Sequence, residues 1–509
     1  MTAAQNLERW ADSLGSGYLR FLLALSDGPI DTLAETQRQT LVWLEQNLEA
    51  LCKADSRPSV ALYLARDEAG LPMAWRLHRD NGGIAPEPED EDSTIRLLGV
   101  VARDFYCALL GSPDTLSQSS RGKSETVASG DQLSQTEAAE LLERHPTGAE
   151  LARLLQAEAA GWGEVAMVAG MSATALSHVF GISALLSAAG RRLSHQANPD
   201  ATAFMRQAMA CLEEVRELID NGTVAVPAVI GFSGLAIEGV EELQLSNGSL
   251  RAPTPGETEE PMLGMEAHAV LTTNVIGTLQ CGNVTRLSGL GDGQARLADL
   301  GRAVCLATAL SLGDDADVQA PIVAWITDLP PVSVVSHSFR PFPPVTPPRG
   351  IDKRSGGGLD ALVTWIERVV ATDLSRIDIA IERLLRACWE QFERADALID
   401  AVIAWENLVG TEHETTYRVT AALAVLCEDD ARRRVERRKE FARIYDARSR
   451  LIHGDTMDLR DSGAHERAIR VCCEAMRRLM VDHPHLLGLS GSRDRADHLL
   501  LGVEDPSER

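Results

Sequence analysis

A chain of 509 residues, 45% hydrophobic and 24% charged, is long enough for two or three domains with separate cores and is ordinary in composition for a globular protein. Its formal net charge of −25 repels nucleic acid as a whole, so any such contact must be local. Nine cysteines without a C-x-x-C form neither a disulfide framework nor a zinc site and fit a reducing cytoplasm, and the first residues lack the basic-then-apolar order of a signal peptide.

Residues 1–110 read as an α/β region. Leu41, Leu44, Leu48 and Leu51 recur at helical spacing. The apolar run Val60 to Leu64 predicts a strand, and Met73 to Leu77 a second across a Gly-containing turn, giving a hairpin. The acidic run from Pro86 to Asp92 is a loop, and the Ser/Gly-rich stretch from Ser112 to Gln132 is a linker.

Residues 136–220 predict a helical region. Val165 to Gly190 holds no charged side chain, but it is rich in Gly, Ala and Ser, which favours a buried helical hairpin over a membrane span. Within it, Ala166, Gly170 and Leu176 fall where a helix-turn-helix places a small residue, a turn glycine and a core residue. The second helix of that motif would offer only Ser172, Thr174, Ser177 and His178 to DNA, without the cations that dominate phosphate affinity.

Residues 223–327 predict a small sheet plus a helix. Val224 to Phe232 and Ala267 to Leu279 are strand-like, and Asn247-Gly248 marks a type I′ hairpin turn. Gly289, Gly291 and Gly293 precede a helix from Ala295 to Leu312, but the last glycine of a dinucleotide fingerprint is missing. A Pro/Gly-rich linker, 328–358, marks the main domain boundary.

Residues 359–490 predict a helical bundle. Ile377, Ile381, Leu384, Leu385 and Cys388 form one apolar stripe. The next helix, Ala395 to Leu408, carries Ile399, Val402, Ile403 and then Glu406, a carboxylate on the core-facing side, where it needs a partner. A third helix begins near Glu414 with Tyr417 and Arg418. Residues 432–450 then carry nine basic and three acidic side chains, a local charge of +6 inside an acidic chain. That is the footprint of an RNA groove, against the commoner reading of a solvated helix face. The helix meets His453-Gly454, with Gly454 as its stop and Asp455 or Asp458 capping the next segment. A last helix spans His465 to Met480.

The run AWENLVGTEHETTYRVTAALAVL followed by EFARIYDARSRLIHGD resembles the Apea-like HEPN domain of bacterial proteins. That family pairs a Glu on an early helix with R-x4-H in the form Tyr-Asp-x-Arg-Ser-x-x-x-His-Gly. The resemblance covers about residues 365–485. More faintly, SNGSLRAPTPGE and LGRAVCLATALSLG are similar to the sheet and helix that often precede this domain. The bare R-x4-H pattern also occurs at Arg460/His465, Arg478/His483 and Arg493/His498. Only Arg448/His453 has the basic helix, the Tyr445-Asp446 pair before it and a glycine after it.

The resemblance implies a metal-independent endoribonuclease without a cofactor, often dimeric and found in toxin and anti-phage systems. Arg448, His453 and Glu406 are the implied catalytic set. Arg434, Arg437, Arg438, Arg443 and Arg450 are the expected RNA contacts. A histidine near its operating pH can move protons, and a guanidinium can clamp non-bridging phosphate oxygens. Glu406 would orient Arg448 or His453, or else form a structural ion pair with Arg418 or the basic helix; Tyr445 packs with its hydroxyl at the surface. Five residues turn an ideal helix through about 500°, so Arg448 and His453 point about 140° apart. They converge if the helix ends between them or if a second copy completes the site.

The expectation is therefore a predominantly helical α+β protein with a C-terminal HEPN-like bundle. It would cleave RNA as a cytoplasmic homodimer with no membrane segment, triggered by a phage or host signal sensed upstream. The alternatives are a non-catalytic HEPN module that binds RNA or protein, and a helix-turn-helix regulator.

Overall fold

The computed structural model describes residues 7–502 apart from 8, 12–13, 26–31, 53–56, 111–134, 171, 197–198, 259–264, 283–291, 313–317, 333–337, 340–349, 390–392, 412–414 and 454–462. The fold is predominantly helical with a small antiparallel sheet. The chain divides into two compact units, one of Met1–Ala228, Asn274–Gln294 and Thr327–Ser338, the other of Val229–Thr273, Ala295–Ile326 and Phe339–Arg509. The division differs from the expected boundary in the linker. It falls inside long strands, because a strand's two ends can serve different cores.

The first unit opens with helices α1 (Ser16–Leu22), α2 (Glu35–Leu51), α3 (Pro58–Leu64), α4 (Met73–Asp80) and α5 (Ser93–Leu110). The hairpin expected from Val60 to Leu77 is thus two helices. Pro58 sits at the first helical positions of α3, where its missing N–H costs nothing. Trp75 of α4 is buried and donates from Nε1 to the carbonyl of Arg103 at 2.8 Å. Asp92 starts α5 by accepting from the backbone N–H groups of Thr94 and Ile95 at 2.7 and 3.0 Å.

Helices α6 (Gln135–Glu143) and α7 (Gly148–Ala159) lead to strands β1 (Val165–Ala169) and β2 (Ser172–Ala175). These pair antiparallel, Ala166 with Ala175 and Ala169 with Ser172. This overturns both the helix-turn-helix and the helical hairpin: the first helix and the start of the second would occupy residues that are extended here, and only the short turn of helix Leu176–Val179 and the helix from Ile182 are helical. Gly170 lies in the turn at φ +52, and a Cβ on it would come within 2.7 Å of the Asp328 carboxylate. Every residue of β1 is buried, so the strand lacks the apolar/polar alternation that would have marked it. Helices α8 (Ile182–Ser194) and α9 (Ala201–Asn221) follow; Asp200 caps α9 and Gly222, at φ +74, ends it.

Strand β3 (Thr223–Ser233) leads into the second unit, with β4 (Leu235–Ile237), β5 (Glu242–Leu245), β6 (Gly248–Arg251) and β7 (Ala269–Cys281). The β5–β6 hairpin forms as expected but one residue earlier. Leu245 pairs with Gly248, so the loop is Ser246-Asn247, and the positive φ lies on Gly248 at +146. A Cβ there would stand 2.0 Å from the carbonyl oxygen of Thr272, which explains the glycine. Helix α10 (Asp292–Leu310) and strand β8 (Ile322–Asp328) follow. Part of the expected linker is a short strand, β9 (Asp352–Arg354), parallel to β4. Residues 340–349 of that linker, like the linker expected from Ser112 to Gln132, lie outside the described residues.

The C-terminal bundle comprises α11 (Gly357–Ala371), α12 (Asp378–Trp389), α13 (Arg394–Val409), α14 (Thr415–Cys427), α15 (Ala431–Ile452), α16 (Ala464–Val481), α17 (Pro484–Leu487) and α18 (Ser492–Leu501). Helix α13 is its centre and packs on α12, α14, α15, α16 and α18. Trp405 is fully buried, lies 5.8 Å from Phe441 between ring centroids, and donates to the carbonyl of Ala468 at 3.0 Å. Each such large apolar side chain contributes about 1.5–3 kcal/mol on burial. The bundle extends past the expected end at 490. Helix α18 was hidden because its core residue is an arginine. Arg495 is only 1% exposed and donates to the carbonyls of Leu408 at 2.7 Å and Asn407 at 2.9 Å, at the end of α13.

Candidate nucleic-acid interface and active site

Helix α15 is a single uninterrupted element from Ala431 to Ile452, started by the Asp430 carboxylate on the N–H groups of Arg432 and Arg433. One face is apolar: Phe441, Ile444, Tyr445 and Ala447 are buried. The opposite side carries the positive charge, but not all of it faces solvent. Arg437 pairs with Glu474 and lies 5.1 Å over the Phe441 ring. Arg434 donates from Nε to the carbonyl of Glu428 at 2.6 Å. Arg438 stacks 4.9 Å over Tyr417. Of the expected RNA contacts, then, Arg443 and Arg450 are exposed, whereas Arg434, Arg437 and Arg438 are half-buried against the bundle. Arg432, Arg433 and Lys439 are exposed on the same helix; the charge count pointed to them, but side-chain direction selects among them.

Glu406 stands on the flank of α13 rather than on its core side. The buried positions include Leu398, Ala401, Val402, Trp405 and Leu408, while Ile399, Ile403 and Glu406 are half-buried. The carboxylate meets α15 there. The Tyr445 hydroxyl donates to its Oε1, and the Arg448 guanidinium approaches its Oε2 at 3.7 Å. Arg448 also lies 5.9 Å over the Tyr445 ring. Burial first, and then the Glu406 hydrogen bond and charge, push the Tyr445 hydroxyl up, against the opposing charge of Arg448. Tyr445 therefore does not end at the surface as expected; its hydroxyl is committed to Glu406. Arg418 pairs with Asp497 instead of Glu406, which removes one of the two structural ion pairs open to Glu406; its contact with Arg448 fits an orienting role and a structural pair with the basic helix alike.

Arg448 keeps donor capacity. Its Nε is buried without a hydrogen-bond partner among the described residues, and the Glu406 contact engages only one edge of the fork. His453 is exposed and forms the C-cap of α15, with φ −81 and ψ 4, its N–H bonded to the carbonyl of Ser449. The helix runs unbroken through Ile452, one residue short of His453, whose N–H still bonds four residues back. No sharp turn separates the two residues, and at about 100° per residue the helical geometry sets their side chains about 140° apart. Gly454, Asp455 and Asp458, expected as stop and caps, lie outside the described residues.

Among the described residues no group of three or more His, Cys, Asp or Glu side chains is arranged to hold a metal ion, and no helix is long and apolar enough to cross a membrane. Comparison of the chain with family models, with curated proteins and with solved structures gives no match.

Proposed function

We propose that the C-terminal bundle is a metal-independent endoribonuclease of the HEPN type, working as a homodimer. The observation that supports it is the Glu406–Arg448 pairing at the end of a basic helix: a guanidinium is steered by a carboxylate yet keeps donors for phosphate. In this reading the ribose 2′-oxygen attacks the adjacent phosphorus and the P–O5′ bond breaks. The products are a 2′,3′-cyclic phosphate and a free 5′-hydroxyl. Arg448 clamps the non-bridging oxygens as negative charge builds on them. Solvent takes the proton of the 2′-hydroxyl, and a protonated His453 gives one to the leaving 5′-oxygen. Because Arg448 and His453 diverge on one helix, the site takes His453 from a second copy across a symmetric cleft. The exposed cations Arg443 and Arg450 track the backbone, supplying the local attraction that a chain of charge −25 otherwise lacks. The remaining two-thirds of the chain restrains or triggers this activity, as an effector in phage defence or a toxin system would require.

A specific observation favours one other reading. Arg434, Arg437 and Arg438 are spent within the bundle, as in a module that binds without cutting. Incubating the purified chain with total RNA in EDTA separates the two. Cleavage that persists under chelation and leaves cyclic phosphate ends is the expected result. Binding without cleavage selects the non-catalytic module.

A further inference from the structure

Two histidines that the proposed site does not use face each other on the C-terminal bundle. His485 lies on the short helix α17 and His498 on the terminal helix α18. Their Nε2 atoms stand 3.3 Å apart, with ring centroids at 5.1 Å and planes at 61°. His485 is exposed and His498 half-buried, so no desolvation drives them together. The described acids on α18 and just before α17 are engaged elsewhere: Asp497 with Arg418 and Arg493, Asp494 with Ser490, and Asp482 with Arg478. A hydrogen bond between the rings uses one proton and one lone pair, and 3.3 Å is longer than such bonds prefer.

The same spacing suits a different occupant. With metal–imidazole bonds of about 2.0–2.1 Å, nitrogens 3.3 Å apart subtend about 105–110° at an ion between them, close to the tetrahedral angle. We propose that His485 and His498 chelate a divalent transition cation of the zinc class. Solvent or an incoming ligand fills the other positions. Structural zinc sites use four protein ligands; with two, this is an exchangeable site whose ion comes and goes with supply. A bound ion ties α17 to α18. Through Arg495 on the carbonyls of Asn407 and Leu408, it steadies the end of the helix that carries Glu406.

The test is calorimetric titration of the EDTA-treated, dialysed full chain with Zn(II), alongside His485→Gln, His498→Gln and the double variant. Chelation predicts that either single change removes one zinc equivalent, or weakens it about tenfold or more, and that the double does no worse than a single, because both arms are needed at once. Hydrogen exchange in residues 492–501 should slow on adding zinc to the unmodified chain only. Identical isotherms for the unmodified chain and His498→Gln would overturn the proposal, and so would losses that add independently in the double variant.

Discussion

Replacing Asp104 by Asn tests the packing logic of the first unit. Asp104 is buried on α5 with its side chain 2% exposed. Its Oδ2 accepts from Arg66 Nη1 and from His145 Nε2 at 3.1 Å, and its Oδ1 accepts from Arg103 Nε at 2.9 Å. The backbone N–H of Thr147 donates to Nδ1 of His145, which places the histidine's proton on Nε2, toward Asp104. An asparagine keeps the shape but only one acceptor oxygen. Whichever way it turns, its amide faces a donor, and the Arg66 and Arg103 guanidiniums lose their buried counter-charge. Breaking one side of such a cluster costs about 3–5 kcal/mol. The lower end applies here, because Arg103 also reaches Glu87 at 3.1 Å. Burial raises the Asp104 carboxyl, but the His145 hydrogen bond, Arg103 and Arg66 together outweigh it and hold it below the usual range. A depressed carboxyl stabilises the fold above its unfolded value and loses that contribution as pH falls through the folded one. Hydrogen exchange across residues 93–110 should therefore show about 3 kcal/mol less protection at neutral pH in Asp104→Asn, with the gap closing in acid. A change below about 1 kcal/mol at neutral pH would refute the reasoning, since a buried carboxylate holding such partners could not be so cheap to neutralise.

Two further outcomes are expected. Arg495→Leu leaves the carbonyls of Leu408 and Asn407 without their donor. The loss of two charge-assisted bonds, partly offset by relief of a buried guanidinium, should cost about 2 kcal/mol, read as faster exchange in residues 394–409. If the nuclease site is shared between copies, Arg448→Ala and His453→Ala chains, each inactive alone, should regain RNA cleavage when mixed. Silence of the mixture, with dimers confirmed, would place both groups in one chain.

The sequence pattern exposed much of the bundle and little of what joins its parts. The stripe from Ile377 to Cys388 is buried as read, because one face of a helix against one core leaves a 3.6-residue period. The run Val60 to Leu64 misled for the opposite reason: a short continuous apolar run fits a buried strand and a buried helix equally, and Pro58 is the signal that separates them. Strand β1 was hidden by burial on both faces, and α18 by an arginine at its core. At the candidate site, Glu406 stood out as a charge read onto the core-facing side of its helix, and it lies on the flank instead. Its bond to Tyr445, 39 residues away, was not legible, because long-range pairs leave no local period. Nor could a charge count show that Arg437 is spent on Glu474 while Arg443 is exposed.

The most direct test of the central claim is single-turnover cleavage of total RNA in EDTA by the unmodified chain and by Arg448→Ala, with melting of both followed in parallel. Arg448 makes a half-buried ion pair at 3.7 Å and a ring contact with Tyr445, together worth about 1–2 kcal/mol, so the variant should melt no more than a few degrees below the unmodified protein. Its cleavage rate should fall by about 100-fold or more, as expected when a donor to the transition-state oxyanion is lost. Equal cleavage by the two proteins would contradict the account.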